Sequence, residues 1–343
     1  METKIFTIRD PQRDRAAIEA VASILRSGGL AAIPTETVYG LAADGLNPEA
    51  VASIYRAKGR PSDNPLILHV DQAERMRPLV TSIPPEAQAL IDRFWPGPLT
   101  LILPKTDRVP AVTAGGLDTV AVRCPSHPIA HAIIAAAGTP LAAPSANLSG
   151  KPSPTTFRDL CDDLTGRVDA LVDAGDCGIG VESTVLTLAD GRPRVLRPGG
   201  VSLEALRTVL PATELDTAVL HEVSPDTHPA SPGMKYKHYA PKAHVILLEG
   251  DLAGYVRYVN AHAAPGVFAL CFEGEQSALA VPAVLYGLPG DPESQAHRLF
   301  AALREVDRRG ARTVYARTPD REGVGLAVYN RLLRSAGFEV IEV

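Results

Sequence analysis

Two cations two residues apart, Lys58 and Arg60, stand where a helical period ends in Lys58-Gly-Arg60-Pro-Ser-Asp-Asn64-Pro-Leu-Ile-Leu-His69. Such a pair can neutralise phosphate oxygens, and equally it can complement the negative end of its own helix. A second polar concentration follows a short apolar run: Pro140-Leu-Ala-Ala-Pro-Ser145-Ala-Asn147-Leu-Ser-Gly-Lys-Pro-Ser153 alternates hydroxyl and amide side chains along a loop. Loops of this kind offer hydroxyls and backbone N–H groups to a phosphate or a base edge. Pro34-Thr35-Glu36-Thr37-Val-Tyr-Gly40 gathers hydroxyls at a strand end before a Gly-Leu turn. Alone, that segment reads more readily as a turn than as a site. Glu182-Ser183-Thr184 opens a strand, and Arg197-Pro-Gly-Gly200 follows the next one. Arg123 ends the apolar run Thr119–Arg123, where a cation is costly unless it meets an anion. A structural ion pair and a ligand carboxylate would both supply one.

No G-x-x-x-x-G-K-[ST] sequence occurs and no G-x-G-x-x-G follows a strand, so a nucleotide would have to be held by other means. The four cysteines, Cys124, Cys161, Cys177 and Cys271, contain no C-x-x-C pair and fit neither a disulfide scaffold nor a zinc knuckle; buried thiols in a reducing compartment are the plain reading. With 45% hydrophobic and 21% charged residues the 343-residue chain can bury a core, and its length points to two domains. Net charge is −5, and residues 1–210 carry 21 Lys+Arg against 23 Asp+Glu, so neither part is a basic module that grips nucleic acid through its phosphates. The N-terminus, METKIFTIRDPQRDR, lacks a secretory apolar stretch, and no run approaches the roughly 18 apolar residues of a membrane span. A cytoplasmic protein with no membrane partner is expected.

The elements that must position these residues alternate between periods of two and 3.6. Residues 13–26 put Ile18, Val21, Ile24 and Leu25 on one helical face, and Gly28-Gly29 ends it before the strand Leu30–Ile33. Asn47-Pro48 starts a second helix with an N-cap and a first-turn proline, and its face is Val51, Ile54 and Tyr55. Further strands are expected at 66–70, 99–103, 119–123, 141–143, 170–173, 181–188 and 194–196, with helices near 84–94, 127–137 and 202–209. So many strands per helix predict an α/β fold with a broad, curved, mixed sheet over residues 1–210. Residues 211–243 are rich in proline and read as an extended linker, whose second half, Ser231-Pro-Gly-Met-Lys-Tyr-Lys-His-Tyr-Ala-Pro241, has a composition suited to an anionic, aromatic ligand. From His244 to Val343 alternating strands and helices predict a smaller Rossmann-like α/β domain.

Taken together, PTETVYGLAAD, KGRPSDNPLILHV, FWPGPLTLIL, VAVRCPSHP, APSANLSGKPSPT, ESTVLTL and VLRPGG resemble the YrdC-type domain of threonylcarbamoyl-AMP synthases, and SPGMKYKHYAP resembles the linker of their long, two-domain form. The resemblance is collinear over residues 20–200 and 231–241; the C-terminal domain carries no sharp motif. It implies synthesis of threonylcarbamoyl-AMP from L-threonine, bicarbonate and ATP with release of pyrophosphate, supplying the threonylcarbamoyladenosine beside the anticodon of ANN-reading tRNAs. On the nucleotide side it implies Lys58 and Arg60, Ser145 and Asn147, Ser153 and Arg197, with Asn64 and Thr119 as weaker carry-overs and Tyr236, then Tyr239, as lid contacts. On the amino-acid side it implies Thr35 or Thr37, His69, Arg123 and Ser183, with Arg123 forking onto the threonine carboxylate. Magnesium is expected to bridge ATP phosphates rather than occupy a protein cage. No residue presents itself as a covalent nucleophile or general base. A transient contact with the downstream tRNA threonylcarbamoyl transferase is implied, without strong tRNA binding. Two alternatives stay open: an RNA-binding module using the same curved sheet, and a carbamoyl-adenylate enzyme acting on another acceptor.

Overall fold

Local signals build the helix that carries the cation pair. In the computed structural model, which describes residues 2–222 and 239–343, α2 (Pro48–Lys58) starts at Asn47, whose Oδ1 accepts from the N–H groups of Glu49 (3.0 Å) and Ala50 (3.3 Å). Gly59 ends it in the left-handed conformation at φ 62°, a position that any Cβ would strain. Ala50, Val51, Ile54 and Tyr55 form its buried face, as the spacing predicts.

The first unit also contains α1 (Arg15–Arg26), α3 (Pro85–Phe94), α4 (Pro128–Ala137), α5 (Phe157–Leu164) and α6 (Leu203–Val209). Its strands are β1 (Lys4–Thr7), β2 (Ala31–Ile33), β3 (Gly40–Asp44), β4 (Ile67–His69), β5 (Leu99–Pro104), β6 (Thr119–Arg123), β7 (Leu141–Ala142), β8 (Ala170–Asp173), β9 (Thr184–Thr187), β10 (Arg194–Arg197) and β11 (Glu214–Leu215). They form one mixed sheet in the order β1-β8-β2-β3-β7-β4-β6-β5-β9-β10-β11. β4 runs parallel to β6, setting His69 opposite Arg123, while β5 and β7 pair antiparallel to β6 and β4. Apolar clusters cover the sheet, one centred on Leu41, Leu68, Leu101 and Val122 and another on Ile33, Ala42, Ile133 and Val172.

Besides the edge strand β1, for which the sequence gives no signal, three further regions depart from the sequence reading. Gly40-Leu41, read as a turn, opens β3 and pairs antiparallel with β2, because small buried residues allow Gly40–Asp44 to lie flat between neighbours. Helix α5, capped by the Thr156 hydroxyl accepting from Asp159 N–H, was not anticipated. Part of the expected linker adds the edge strand β11, parallel to β10, and a 3-10 turn at Thr217–Val219.

The second unit comprises β12 (His244–Glu249), α7 (Leu252–Ala261), β13 (Val267–Cys271), β14 (Ala283–Leu285), α8 (Pro292–Arg308), β15 (Thr313–Arg317), α9 (Gly325–Ser335) and β16 (Val340–Glu342). Its sheet is wholly parallel, in the order β14-β13-β15-β12-β16. The parallel α/β character is that of a Rossmann-like unit, but the fourth strand lies between the first and second, unlike the 3-2-1-4-5-6 arrangement of dinucleotide folds. Helices α8 and α9 dock on the first unit. Val38 and Val181 join the apolar cluster of Phe300, Leu303 and Tyr329. Gly180, at φ 88°, lets the chain lie directly on α8, where a Cβ would sit 2.4 Å from the Ala296 carbonyl oxygen. Among the described residues no helix is long and apolar enough to cross a membrane.

Candidate active site

One cleft in the first unit is lined by side chains from seven separated segments: Thr35 and Thr37, Lys58 and Arg60, His69, Arg123, Ser145 and Asn147, Glu182 and Ser183, and Arg197. Tyr239, the first residue after the undescribed stretch, closes it with the backbone at φ 63°, an uncommon conformation for a bulky residue. Eleven of the residues expected at the site, Tyr239 among them, therefore meet. Asn64, Thr119 and Ser153 do not line the cleft, and Tyr236 lies outside the described residues.

The cation pair is built differently from a helix-end dipole complement. Lys58 is 3% exposed, and its ammonium leaves its own helix to donate to the carbonyl oxygens of Ser145 and Asn147, the latter at 2.5 Å. In return the Ser149 N–H donates to the Lys58 carbonyl at 2.9 Å. The two loops thus lock each other. Inside the second loop the Ser145 hydroxyl donates to Asn147 Oδ1 at 2.5 Å, and Asn147 Nδ2 donates to the carbonyls of Leu148 and Lys151. Burial pushes the Lys58 ammonium well below its usual range, with Arg60 adding to the effect, and burial lowers Arg60 to about 10. Arg60 holds the Asn64 and Pro65 carbonyls at 3.4 and 3.3 Å through one nitrogen, and its Nε has no partner among the described residues. Asn64 is buried and supports Arg60 through its backbone rather than reaching the cleft. Arg197, also lowered by burial, donates to the Ser183 carbonyl at 3.1 Å and its hydroxyl at 3.2 Å. Gly199 permits this approach, since a Cβ there would lie 2.3 Å from the Glu182 carbonyl oxygen.

At the other end the Arg123 guanidinium donates to the Thr37 hydroxyl at 2.9 Å and the Gly97 carbonyl at 3.2 Å. Its remaining nitrogen lies 2.7 Å from Glu36 Oε1. The Thr35 hydroxyl donates to the Val38 carbonyl at 2.6 Å and contacts the Thr37 hydroxyl at 2.8 Å, so both threonines shape the loop behind Arg123. Ser183 touches the Thr100 hydroxyl at 2.8 Å as well as Arg197, placing it on the border of the two ends. Two more residues, besides Asn64, differ from expectation. Thr119 stands at the end of β6 opposite Arg123, too far along the strand to share its environment. Ser153 is fully buried and spends its hydroxyl on Glu182 Oε1 at 2.5 Å, so it acts on the cleft only through Glu182.

Burial, reinforced by the Arg123 charge, pulls the His69 imidazole down to about 3. His69 is therefore neutral at physiological pH. Between pH 6.5 and 3 the unfolded chain binds a proton here that the folded chain refuses, so stability falls as pH drops through that window. A thermal-melting series from pH 7 to 4 is expected to show a shallower fall for His69→Gln than for the wild type; equal slopes would refute a neutral, desolvated His69.

A family model described as "Telomere recombination" matches residues 23–199, and one described as "Threonylcarbamoyl-AMP synthase, C-terminal domain" matches 201–337. The threonylcarbamoyl-AMP synthase of Pyrococcus abyssi is 45% identical, covering 99% of this chain and 100% of its own length. The chain belongs to the threonylcarbamoyl-AMP synthase family. The Bacillus subtilis threonylcarbamoyl-AMP synthase is 44% identical across 99% of this chain and 97% of its own length. The solved structure of P. abyssi Sua5 complexed with L-threonine superposes with a TM-score of 0.92 at 42% identity, covering 99% of this chain and 100% of that one. Escherichia coli YciO covers 57% of this chain at a TM-score of 0.51 and 26% identity. The match to the two-domain members of the family therefore spans both units.

The cleft adds lining residues to those the motifs imply. Glu182 belongs to the ESTV motif, yet its carboxylate becomes meaningful only through partners distant in sequence. Val38, Ile67 and Ala143 supply an apolar floor, which the hydroxyl-rich flanks of their motifs conceal.

Proposed function

We propose that the cleft binds ATP at the Lys58, Arg60, Asn147 and Arg197 end and L-threonine at the Arg123, His69 and Thr37 end, and joins them through a carbamate. The observation that carries this reading is the charge imbalance of the lining: four cations, three of them with their charge disfavoured by burial, against the single carboxylate of Glu182. A polyanion entering such a site removes the desolvation penalty that the cations bear alone. That the P. abyssi relative has been solved complexed with L-threonine supports threonine as one of the two ligands.

The threonine amine attacks bicarbonate or the CO₂ derived from it, forming a carbamate with loss of water in the first case and of a proton in the second. A carbamate oxygen then attacks the α-phosphorus of ATP, the bond to the β-phosphate oxygen breaks, and pyrophosphate leaves. Arg123 orients the amino acid by its carboxylate, and Lys58, Arg60 and Arg197 bear the charge that develops on the phosphates. The apolar floor limits the water that would hydrolyse the carbamate or the mixed anhydride. Cationic lining repels a free divalent ion, and no acidic or histidine cluster among the described residues would hold one. Magnesium would therefore arrive on the phosphate oxygens as part of the substrate and supply charge neutralisation there. In the cytoplasm the product would pass to a tRNA threonylcarbamoyl transferase.

Pyrophosphate release with each substrate omitted in turn tests the reading. Release is expected to require both L-threonine and bicarbonate, with L-serine slower by roughly 10–200-fold for want of one methyl contact. Equal release without threonine would overturn it.

A further inference from the structure

We infer that Arg331, on α9 of the second unit, is a positioning residue of the nucleotide end: it neutralises Glu182 so that the triphosphate can lie beside a carboxylate. This rests on the reading of the cleft as an ATP site.

Arg331 is fully buried, and its Nε donates to Glu182 Oε2 at 2.8 Å across the interface between the units. Its orientation is itself fixed. NH1 donates to Asn330 Oδ1 at 2.8 Å, and the Asn330 amide is anchored by donating to the Val219 carbonyl at 2.7 Å. The guanidinium also lies 5.4 Å from the centre of the Tyr239 ring, in cation–π range. Arg331 thus touches two residues that line the cleft while lining none of it. Its NH2 has no partner among the described residues, so the fork is not fully spent on structure.

Glu182 needs this partner. Its other oxygen accepts from Ser153, and Arg331, then Arg197, holds its carboxyl below the usual range against burial. It is therefore a fixed negative charge in the wall where phosphates are to bind. Without Arg331 it would draw on Arg197, the cation the phosphates require, and repel the incoming triphosphate. The interface repeats the same polarity elsewhere: Arg304 meets Asp163 at 2.7 Å and Arg308 meets Asp159 at 2.7 Å, each arginine from α8 and each acid from the first unit. Of these three acids only Glu182 lines the cleft. That difference separates Arg331 from a general docking contact, and it makes Arg308 a control for loosening of the interface.

Calorimetric titration of the full chain with ATP and, separately, with L-threonine decides the matter. Arg331→Met is expected to weaken ATP binding by roughly 10–100-fold while changing threonine binding by less than about threefold. Adding Glu182→Gln to Arg331→Met removes the orphaned charge and is expected to recover about tenfold of the loss, which no purely structural role would produce. Arg331→Lys keeps a positive charge in place and is expected to stay within about tenfold of the wild type, so the inference remains testable if the methionine variant fails to fold. Arg308→Gln is expected to bind ATP within about threefold of the wild type. ATP affinity unchanged in Arg331→Met, equal losses for ATP and threonine, or no recovery on adding Glu182→Gln would each overturn the inference. A wild-type chain that binds threonine but not ATP would instead overturn the reading of the cleft on which it rests.

Discussion

Lys58→Ala is expected to lower kcat/KM for ATP by on the order of 10²–10³-fold, the scale seen when one charge-stabilising donor is removed from a preorganised site. It is also expected to destabilise the fold, contrary to what an exposed helix-end cation would do. The ammonium is the donor to the Ser145 and Asn147 carbonyls, and buried carbonyls left without a donor cost about 1–3 kcal/mol. For a chain of this size that corresponds to a drop in Tm of roughly 1–4 °C. Steady-state kinetics beside thermal melting separates the two consequences. Unchanged ATP kinetics with a lowered Tm would make Lys58 a strut between loops and nothing more, and would move the phosphate site towards Arg60 and Arg197.

Arg123→Lys is expected to weaken threonine binding by roughly 10–100-fold or more and ATP binding far less. The guanidinium serves three partners at once, Thr37, Gly97 and Glu36, and an ammonium has neither the planar spread nor the reach to keep them while meeting a substrate carboxylate. Each charge-assisted hydrogen bond lost corresponds to about 1.5–3 kcal/mol. Glu36 sharpens the expectation, because it already holds one edge of the fork, and the arginine charge keeps its carboxyl ionised against burial. Titration of the variant with each ligand provides the check. A loss confined to ATP would assign Arg123 to phosphate.

What the sequence revealed and what it concealed follow from the range of the forces involved. Helix α2 was readable because its cap, first-turn proline and terminating glycine act within a few residues. The same holds for β4, β5 and β6, whose apolar runs are continuous and buried. Strand β1 escaped notice because it is an edge strand with mostly exposed side chains and so has no hydrophobic signature. The motifs named most of the lining, but not what its side chains do. Nothing near Lys58 announces that its ammonium is bound to carbonyls 87 and 89 residues away. Nothing near Ser153 announces that its hydroxyl belongs to Glu182 rather than to a ligand. Arg331 was least visible of all, lying in a domain without a sharp motif and recognisable only by the carboxylate it meets.

The 149 residues that separate Glu182 from Arg331 also set a clock on synthesis. A ribosome adding about 5–20 residues per second needs roughly 7–30 s to pass from one to the other. Over that interval the first unit can have emerged and folded, while the Glu182 carboxylate in the cleft wall still waits for its counter-charge. The nascent chain therefore carries every residue of the recognisable motifs before it has a balanced pocket. Its full affinity for ATP would be reached only once Arg331 has arrived, which makes the last step of synthesis the one that balances the pocket.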